Sequence, residues 1–124
     1  MTREPRDLAL ERLYQAEMLG SVADSSDLPP KAARLVAGVQ ENQPALDQAL
    51  EEVSAAWPVH RMPVVDRCIL RMSLYELRSD QDLPVAVIVA EAVRLAKAYS
   101  TEKSGAFVNG VLAELARRER RTEV

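Results

Sequence analysis

Apolar residues recur along most of the chain at intervals of three or four residues, the spacing of one face of an α-helix. No segment shows the strict alternation of apolar and polar residues that predicts a half-buried strand. Prolines and glycines divide the pattern into six blocks, which predict helices at about 5–19, 30–41, 44–57, 63–80, 84–99 and from 104 to the basic end. The predicted fold class is therefore all-α, a compact helical domain with short loops.

Single residues indicate where these helices begin and end. Pro5 suits the first turn of the first helix, and Gly20 suits the left-handed residue that follows its last turn. The segment ENQP is expected to break the second helix, so that Pro44 begins a third. The block PVVDRCILRMSLYELRSD is apolar on nearly every side and is expected in the middle of the fold. The polar segment SVADSSDLPP is the best candidate for a mobile connector.

Composition indicates one helical domain and gives no global sign of nucleic-acid binding. The 124 residues are 48% apolar and 4% aromatic, enough for a single domain over 1–124 with its core at about 5–120. The formal net charge is −3, although a local basic patch can still bind RNA. Cys68, the one cysteine, excludes an intrachain disulfide framework and a CxxC site, which makes a cytoplasmic location the expectation. No apolar run reaches the length of about 18 residues that a membrane span needs, so no membrane partner is expected.

Motifs for catalysis are absent from the sequence. The chain has no GxxxxGK[ST], GxGxxG or HExxH motif. His60 lies in a proline-flanked link and is expected to be a solvated loop residue, while Cys68 is expected to be a buried small hydrophobe. Asp66 and Glu76 are separated by about 15 Å of helical rise, too far to share a reaction. We therefore expect no enzyme activity, no catalytic residues, no cofactor and no metal site.

Cationic and aromatic residues near the start of the chain form the first candidate binding feature. Arg3 and Arg6 precede Tyr14, and such side chains can hold a phosphate backbone and stack a base. The alternative is a solvated helix start in which neighbouring carboxylates cancel the charge. The arginines of ARRERR form a second feature, but cations at a helix end complement its dipole without any ligand.

The segment TEKSGAF, at the start of the last block, is the third candidate. Thr101 or Ser104 can cap the helix, Lys103 adds a positive charge, and the free N–H groups of a helix start can bind phosphate. Phe107, the only phenylalanine, is either a ring that stacks on RNA or a core anchor, and the sequence leaves both open.

Two glycines lie inside predicted helices. Asn109-Gly110 is a dipeptide typical of a hairpin turn, yet the apolar residues around it recur at helical spacing. Glycine inside a helix costs about 1 kcal/mol relative to alanine. We interpret Gly110, and likewise Gly38, as positions where a missing side chain lets a neighbouring helix approach closely.

Three motifs follow one another in the second half of the chain: ILRMSLYEL at 69–77, DLP at 82–84 with EAVRLAK at 91–97, and FVNGVL at 107–112. In this order they resemble the NusB family of bacterial transcription antitermination factors. The resemblance is strong from about 66 to 115. It is weaker in ALERLY at 9–14 and RLVAGV at 34–39.

The resemblance implies an all-α fold of two small packed bundles with six to seven helices, and no catalytic activity. It implies binding of single-stranded boxA-type leader RNA of ribosomal-RNA operons together with NusE, a small-subunit ribosomal protein, in the RNA polymerase antitermination complex. Transferred residue by residue, it implies RNA-proximal positions at Arg6, Tyr14, Glu76, Ser104 and Phe107. Arg3 and Lys103 remain candidates from the charge pattern alone.

Two departures from the family pattern bear on RNA affinity. Many members carry a denser arginine cluster before the first helix, where this chain has TREPRD, and an acidic residue where this chain has Lys103. We therefore expect RNA affinity to depend more on the last helix than on the N-terminal arm. The alternatives are a helical adaptor that binds only protein and a stand-alone relative of the RNA-binding module of ribosomal-RNA cytosine methyltransferases.

Overall fold

The regular elements of the protein are helices, as a computed structural model describes them for residues 4–54 and 57–120. The bounds are α1 Pro5–Leu19, α2 Pro30–Val53, α3 Val64–Ser79, α4 Val85–Tyr99 and α5 Glu102–Glu119, with one 3₁₀ turn at Val59–Arg61. The all-α prediction is confirmed, but these residues form five α-helices instead of the expected six to seven.

Prolines and one glycine set most helix ends. Pro5 and Pro30 occupy the first helical position of α1 and α2, and Pro84 immediately precedes α4. Proline suits these positions because a helix start has no partner for its N–H. Gly20 ends α1 in the left-handed region at φ 64°, and the Ser21 N–H then donates to the Ala16 carbonyl at 2.9 Å. The predicted bounds of α1 are confirmed.

The predicted break at Pro44 is wrong, because α2 runs through it without interruption. Pro44 has no N–H to offer the carbonyl of Gln40, but its ring lies on the exposed side of the helix. Val39 and Leu46 are both buried and lie two turns apart, on either side of the proline. Burial of one continuous apolar face therefore outweighs the lost hydrogen bond.

Helix α3 lies at the centre of the fold, as its all-round apolar pattern predicts. It contacts α1 and α2, which also contact each other, and it contacts α4 and α5, which form the most extensive pair. Its largest fully buried side chains are Ile69, Leu70, Met72, Leu74 and Leu77. The two small bundles implied by the resemblance therefore share α3.

The interpretation of Gly110 is wrong, and that of Gly38 holds in part. Gly110 is exposed, and a Cβ atom added there would meet no atom within 4 Å. At Gly38, an added Cβ would overlap the ring of Tyr75 on α3. The missing side chain on α2 thus makes room for an aromatic ring, not for a helix backbone.

The ARRERR arginines that the structure describes are committed to contacts within the chain. Arg117 pairs with Glu114 on the surface, and Arg118 pairs with Glu52 at 2.9 Å. Arg120 is buried and caps the end of α3: it donates to the carbonyls of Leu77, Asp80 and Leu83 at 2.9, 2.7 and 2.7 Å. Arg121 lies outside the described residues.

Candidate nucleic-acid interface

Arg6 and Glu76, two of the predicted RNA-proximal residues, form a buried ion pair between α1 and α3. The guanidinium donates from Nε to Oε1 at 2.9 Å and from Nη2 to Oε2 at 2.8 Å. The two side chains are only 8% and 6% exposed. Because α1 and α3 run antiparallel here, this pair fixes the first turn of α1 against the last turn of α3. Arg3, the other arginine of the arm, lies outside the described residues.

Tyr14 forms part of a small cavity at the surface. The cavity has a volume of about 230 Å³ and is lined by Asp7, Leu10, Glu11, Tyr14, Val65 and Tyr99. Its two aromatic rings are partly open to solvent, since Tyr14 is 37% and Tyr99 43% exposed. Two tyrosines beside apolar side chains can hold a planar base by stacking.

Asp7 holds Tyr99 in this cavity and links α1 to α4. The Tyr99 hydroxyl donates to Oδ1 of Asp7 at 2.6 Å, and Arg94 donates to both Asp7 oxygens at 3.3 and 2.9 Å. Hydrogen bonds to Asp7, and then to Glu91, raise the pKa of Arg94 above its usual range. Tyr99 lines this cavity, but no sequence motif singles it out, because its contact with Asp7 depends on how α4 packs against α1.

The start of α5 is anchored on the first turn of α3. Thr101 is the N-cap, and its hydroxyl accepts from the Ser104 N–H at 3.2 Å. The Ser104 hydroxyl donates to Oδ2 of Asp66 at 2.9 Å, and both residues are buried. Lys103, in contrast, is exposed. The same turn therefore has one predicted residue facing the interior and one facing solvent.

Phe107 packs against the core and also against Trp57. The two ring centroids lie 5.0 Å apart with the rings at 69°, an edge-to-face arrangement. Phe107 is half-buried, whereas Trp57 is 38% exposed. Trp57 lies in the irregular link after α2, where no periodic pattern draws attention to it.

These residues follow one another over the surface. Tyr14 lies about 12 Å of helical rise beyond Arg6 along α1. Val65, which lines the tyrosine cavity, is next to Asp66, which binds Ser104 at the start of α5. We define the aromatic strip as the exposed residues Tyr14, Tyr99, Lys103 and Trp57 together with the half-buried Phe107.

The single histidine and the single cysteine lie where the sequence predicts. His60 is exposed in the 3₁₀ turn, and Cys68 is buried in α3. Burial raises the pKa of the Cys68 thiol to about 12, so the thiol stays protonated at neutral pH. Across 4–54 and 57–120, no cluster of three histidine, cysteine or carboxylate side chains is placed to hold a metal ion. Within these same ranges, no helix has both the length and the apolar character needed for a membrane crossing.

Comparison with known proteins identifies the family. The NusB family model matches residues 3–117. The protein named transcription antitermination protein NusB in Rubrobacter xylanophilus is 44% identical, over 89% of this chain and 86% of that protein. The protein of the same name in Geobacillus kaustophilus is 41% identical, over 90% of this chain and 92% of that protein.

Solved structures agree with this match. T. maritima NusB has a TM-score of 0.79 and 33% identity, covering 94% of this chain and 93% of its own. A chain in the crystal structure of a plectonemic RNA supercoil has a TM-score of 0.81 and 25% identity, covering 95% of both chains. The chain therefore belongs to the NusB family of transcription antitermination proteins, which are not enzymes.

Proposed function

We propose that this protein binds single-stranded boxA-type leader RNA of ribosomal-RNA operons together with a NusE-type ribosomal protein. In the bacterial cytoplasm, it then acts within the RNA polymerase antitermination complex. The observation that carries the proposal is the aromatic strip, which combines three exposed aromatic rings, Tyr14, Tyr99 and Trp57, with an exposed lysine. Family membership and the likeness to a chain crystallised with an RNA supercoil support it.

The predicted RNA-binding residues take two kinds of role in this proposal. Tyr14 and Lys103 contact RNA directly, since one offers a ring and the other an exposed positive charge. Arg6, Glu76 and Ser104 position these contacts, because their polar atoms are engaged inside the protein. Phe107 is half-buried and packs against the Trp57 ring of the strip.

RNA binding in this proposal needs the partner protein. The formal net charge is −3, and arginines beside the strip are neutralised by carboxylates. Arg12, which directly precedes Leu13 and Tyr14, pairs with Asp27 of the loop after α1 at 2.8 Å. The chain alone therefore offers few positive charges for phosphates, and the affinity that charge supplies is correspondingly small.

The test is to measure the anisotropy of a labelled boxA-like single strand at a stated salt concentration, with and without a NusE-type protein. We expect tight binding only with the partner, and weaker binding of a scrambled strand. Partner binding with no RNA binding would identify a protein-only adaptor. Equal binding of ribosomal RNA and boxA-like RNA would favour the relative of the methyltransferase module.

The balance between α5 and the N-terminal arm can be tested separately. Lys103→Glu should weaken RNA binding more than Arg3→Ala and lower the slope of log affinity against log salt by about 0.7. Arg117→Glu is a charge-matched control, because Arg117 is exposed near the opposite end of α5 from Lys103. A larger loss for Arg3→Ala would contradict the expectation that α5 dominates.

A further inference from the structure

Trp57 lies at the surface outside any helix, and hydrogen bonds to Ser54 hold its backbone. Its backbone N–H donates to the Ser54 carbonyl at 3.0 Å, and its backbone carbonyl accepts from the Ser54 hydroxyl at 3.0 Å. Pro58 follows and restricts the backbone further. Ser54 is buried at the end of α2, so these bonds tie the Trp57 backbone to that helix end.

The pairing with Phe107 leaves the indole as the more open of the two rings. Phe107 is half-buried against the core, and Trp57 covers it from outside while remaining 38% exposed. Because the planes of the Trp57 and Phe107 rings are inclined at 69°, one base can stack on only one of the two rings. Trp57 offers the larger free surface.

Positive charge lies on both sides of this ring pair along the chain. Lys103 is one helical turn before Phe107 and on the same face of α5. Arg61 follows Trp57 by four residues. Both cations are exposed, and neither has an ion-pair partner in the part of the chain that the structure describes. Stacking rings with cations nearby suit single-stranded nucleic acid, where each base is flanked by phosphates.

We propose that Trp57 stacks on one base of the bound single-stranded RNA, so that the RNA path continues past the start of α5 to the indole. This inference rests on the proposed function and extends it by one aromatic contact. Loss of a base–aromatic stack weakens binding by about 5- to 150-fold. The contact depends on the ring face, so it tolerates different bases.

The chain contains a single tryptophan, so its own fluorescence reports on this position. We expect a boxA-like single strand, added with the NusE-type partner, to quench Trp57 emission. A tryptophan-free partner keeps the signal specific. The quench should saturate at the RNA concentration at which anisotropy of labelled RNA saturates. An abasic nucleotide at one position of the strand should remove the quench.

Variants complete the test. Trp57→Leu should lower RNA affinity about 5- to 150-fold, while Trp57→Tyr should retain most of it because the ring is kept. Leu19→Ala removes an even more exposed apolar side chain from the end of α1 and should leave affinity unchanged. If Trp57→Leu unfolds, the quench of wild-type Trp57 emission and its loss on the abasic strand still decide.

The outcomes separate this inference from the proposed function. Binding seen by anisotropy with unchanged Trp57 emission, or with unchanged affinity of Trp57→Leu, overturns the inference and leaves the function standing. Emission that changes on addition of the partner protein alone, with no further change on RNA, also overturns it and makes Trp57 a protein contact. Absence of RNA binding by anisotropy, with the partner present, refutes the proposed function itself.

Discussion

The resemblance to the NusB family implies that Arg6 and Glu76 lie near RNA. Because the two side chains form a buried ion pair, substitutions can test whether they contact RNA or only stabilise the fold. Arg6→Met removes the charge and keeps much of the volume, but it leaves Glu76 buried with no cation. Two charge-assisted hydrogen bonds at 2.8 and 2.9 Å are lost, and each contributes about 1.5–3 kcal/mol. Breaking one partner of a buried ion pair costs about 3–5 kcal/mol overall.

This cost is large for a domain of this size. Unfolding entropy near the melting temperature is about 2.1 cal/mol/K per residue. For 124 residues, a loss of 3–5 kcal/mol therefore lowers Tm by about 12–19 °C. Glu76→Leu should cost a similar amount, because it leaves Arg6 buried without its carboxylate. The double variant should recover most of the loss, since both charges are then gone and the volume is filled.

Urea unfolding followed by far-UV circular dichroism measures these free energies of unfolding. Arg117→Met is the matched control, because Arg117 and Glu114 are 58% and 51% exposed, and such surface pairs contribute at most about 1 kcal/mol. A stability of Arg6→Met within about 1 kcal/mol of wild type would refute the reasoning. So would a double variant as unstable as either single variant.

RNA binding by the double variant then separates the two roles. If the pair only positions α1 and Tyr14, the stable double variant should bind RNA nearly as well as wild type. If Arg6 itself contacts phosphate, the double variant should lose affinity although it is folded. The comparison is informative because the double variant, unlike Arg6→Met alone, does not confound binding with unfolding.

Four further predictions each concern a single residue. Gly110→Ala should stabilise the protein by about 1 kcal/mol, raising Tm by about 4 °C, because nothing opposes a Cβ there; a fall in Tm would contradict this. Gly38→Ala should have a Tm below that of Gly110→Ala, since its Cβ displaces the Tyr75 ring, and equal values would show that the ring moves freely. Arg120→Met should cost at least about 2 kcal/mol in urea unfolding, since it uncaps α3, and a neutral effect would exclude the cap. Cys68, with its thiol pKa raised to about 12 by burial, should resist alkylation at pH 8 until urea unfolds the chain; rapid native labelling would refute this.

Helix positions were predictable because the signals that set them are local. Pro5 and Gly20 act on their own turn of backbone, and α1 has the bounds that these two residues indicate. The predicted break at Pro44 was wrong because a rule based on single residues takes no account of burial in the tertiary structure. Val39 and Leu46 bury one face of α2 across the proline, and that gain is invisible to a rule that considers one turn at a time.

The environment of the candidate site residues was not predictable in the same way. Arg6 and Glu76 are 70 residues apart in sequence, and Ser104 and Asp66 are 38 apart. Nothing in the spacing of either residue indicates its partner, since pairing across helices depends on how the helices pack. Trp57 was missed for a related reason, because it lies in a link with no periodicity to interpret.

The distribution of charge predicts whether phosphate contacts or base stacking contribute more to the proposed RNA binding of this chain. Arg6 and Arg94 are neutralised by carboxylates beside the strip, and Arg12 is engaged by the loop after α1. Binding that relied on phosphate contacts would lose about 0.7 log units of affinity per contact for each tenfold rise in salt. Lys103 is the exposed cation of the strip, so under the proposed function we expect stacking on the aromatic rings to supply more of this chain's contribution to affinity than charge does. The share of RNA binding that this chain supplies should therefore change little with salt, and it should fall when Tyr14 or Trp57 loses its ring.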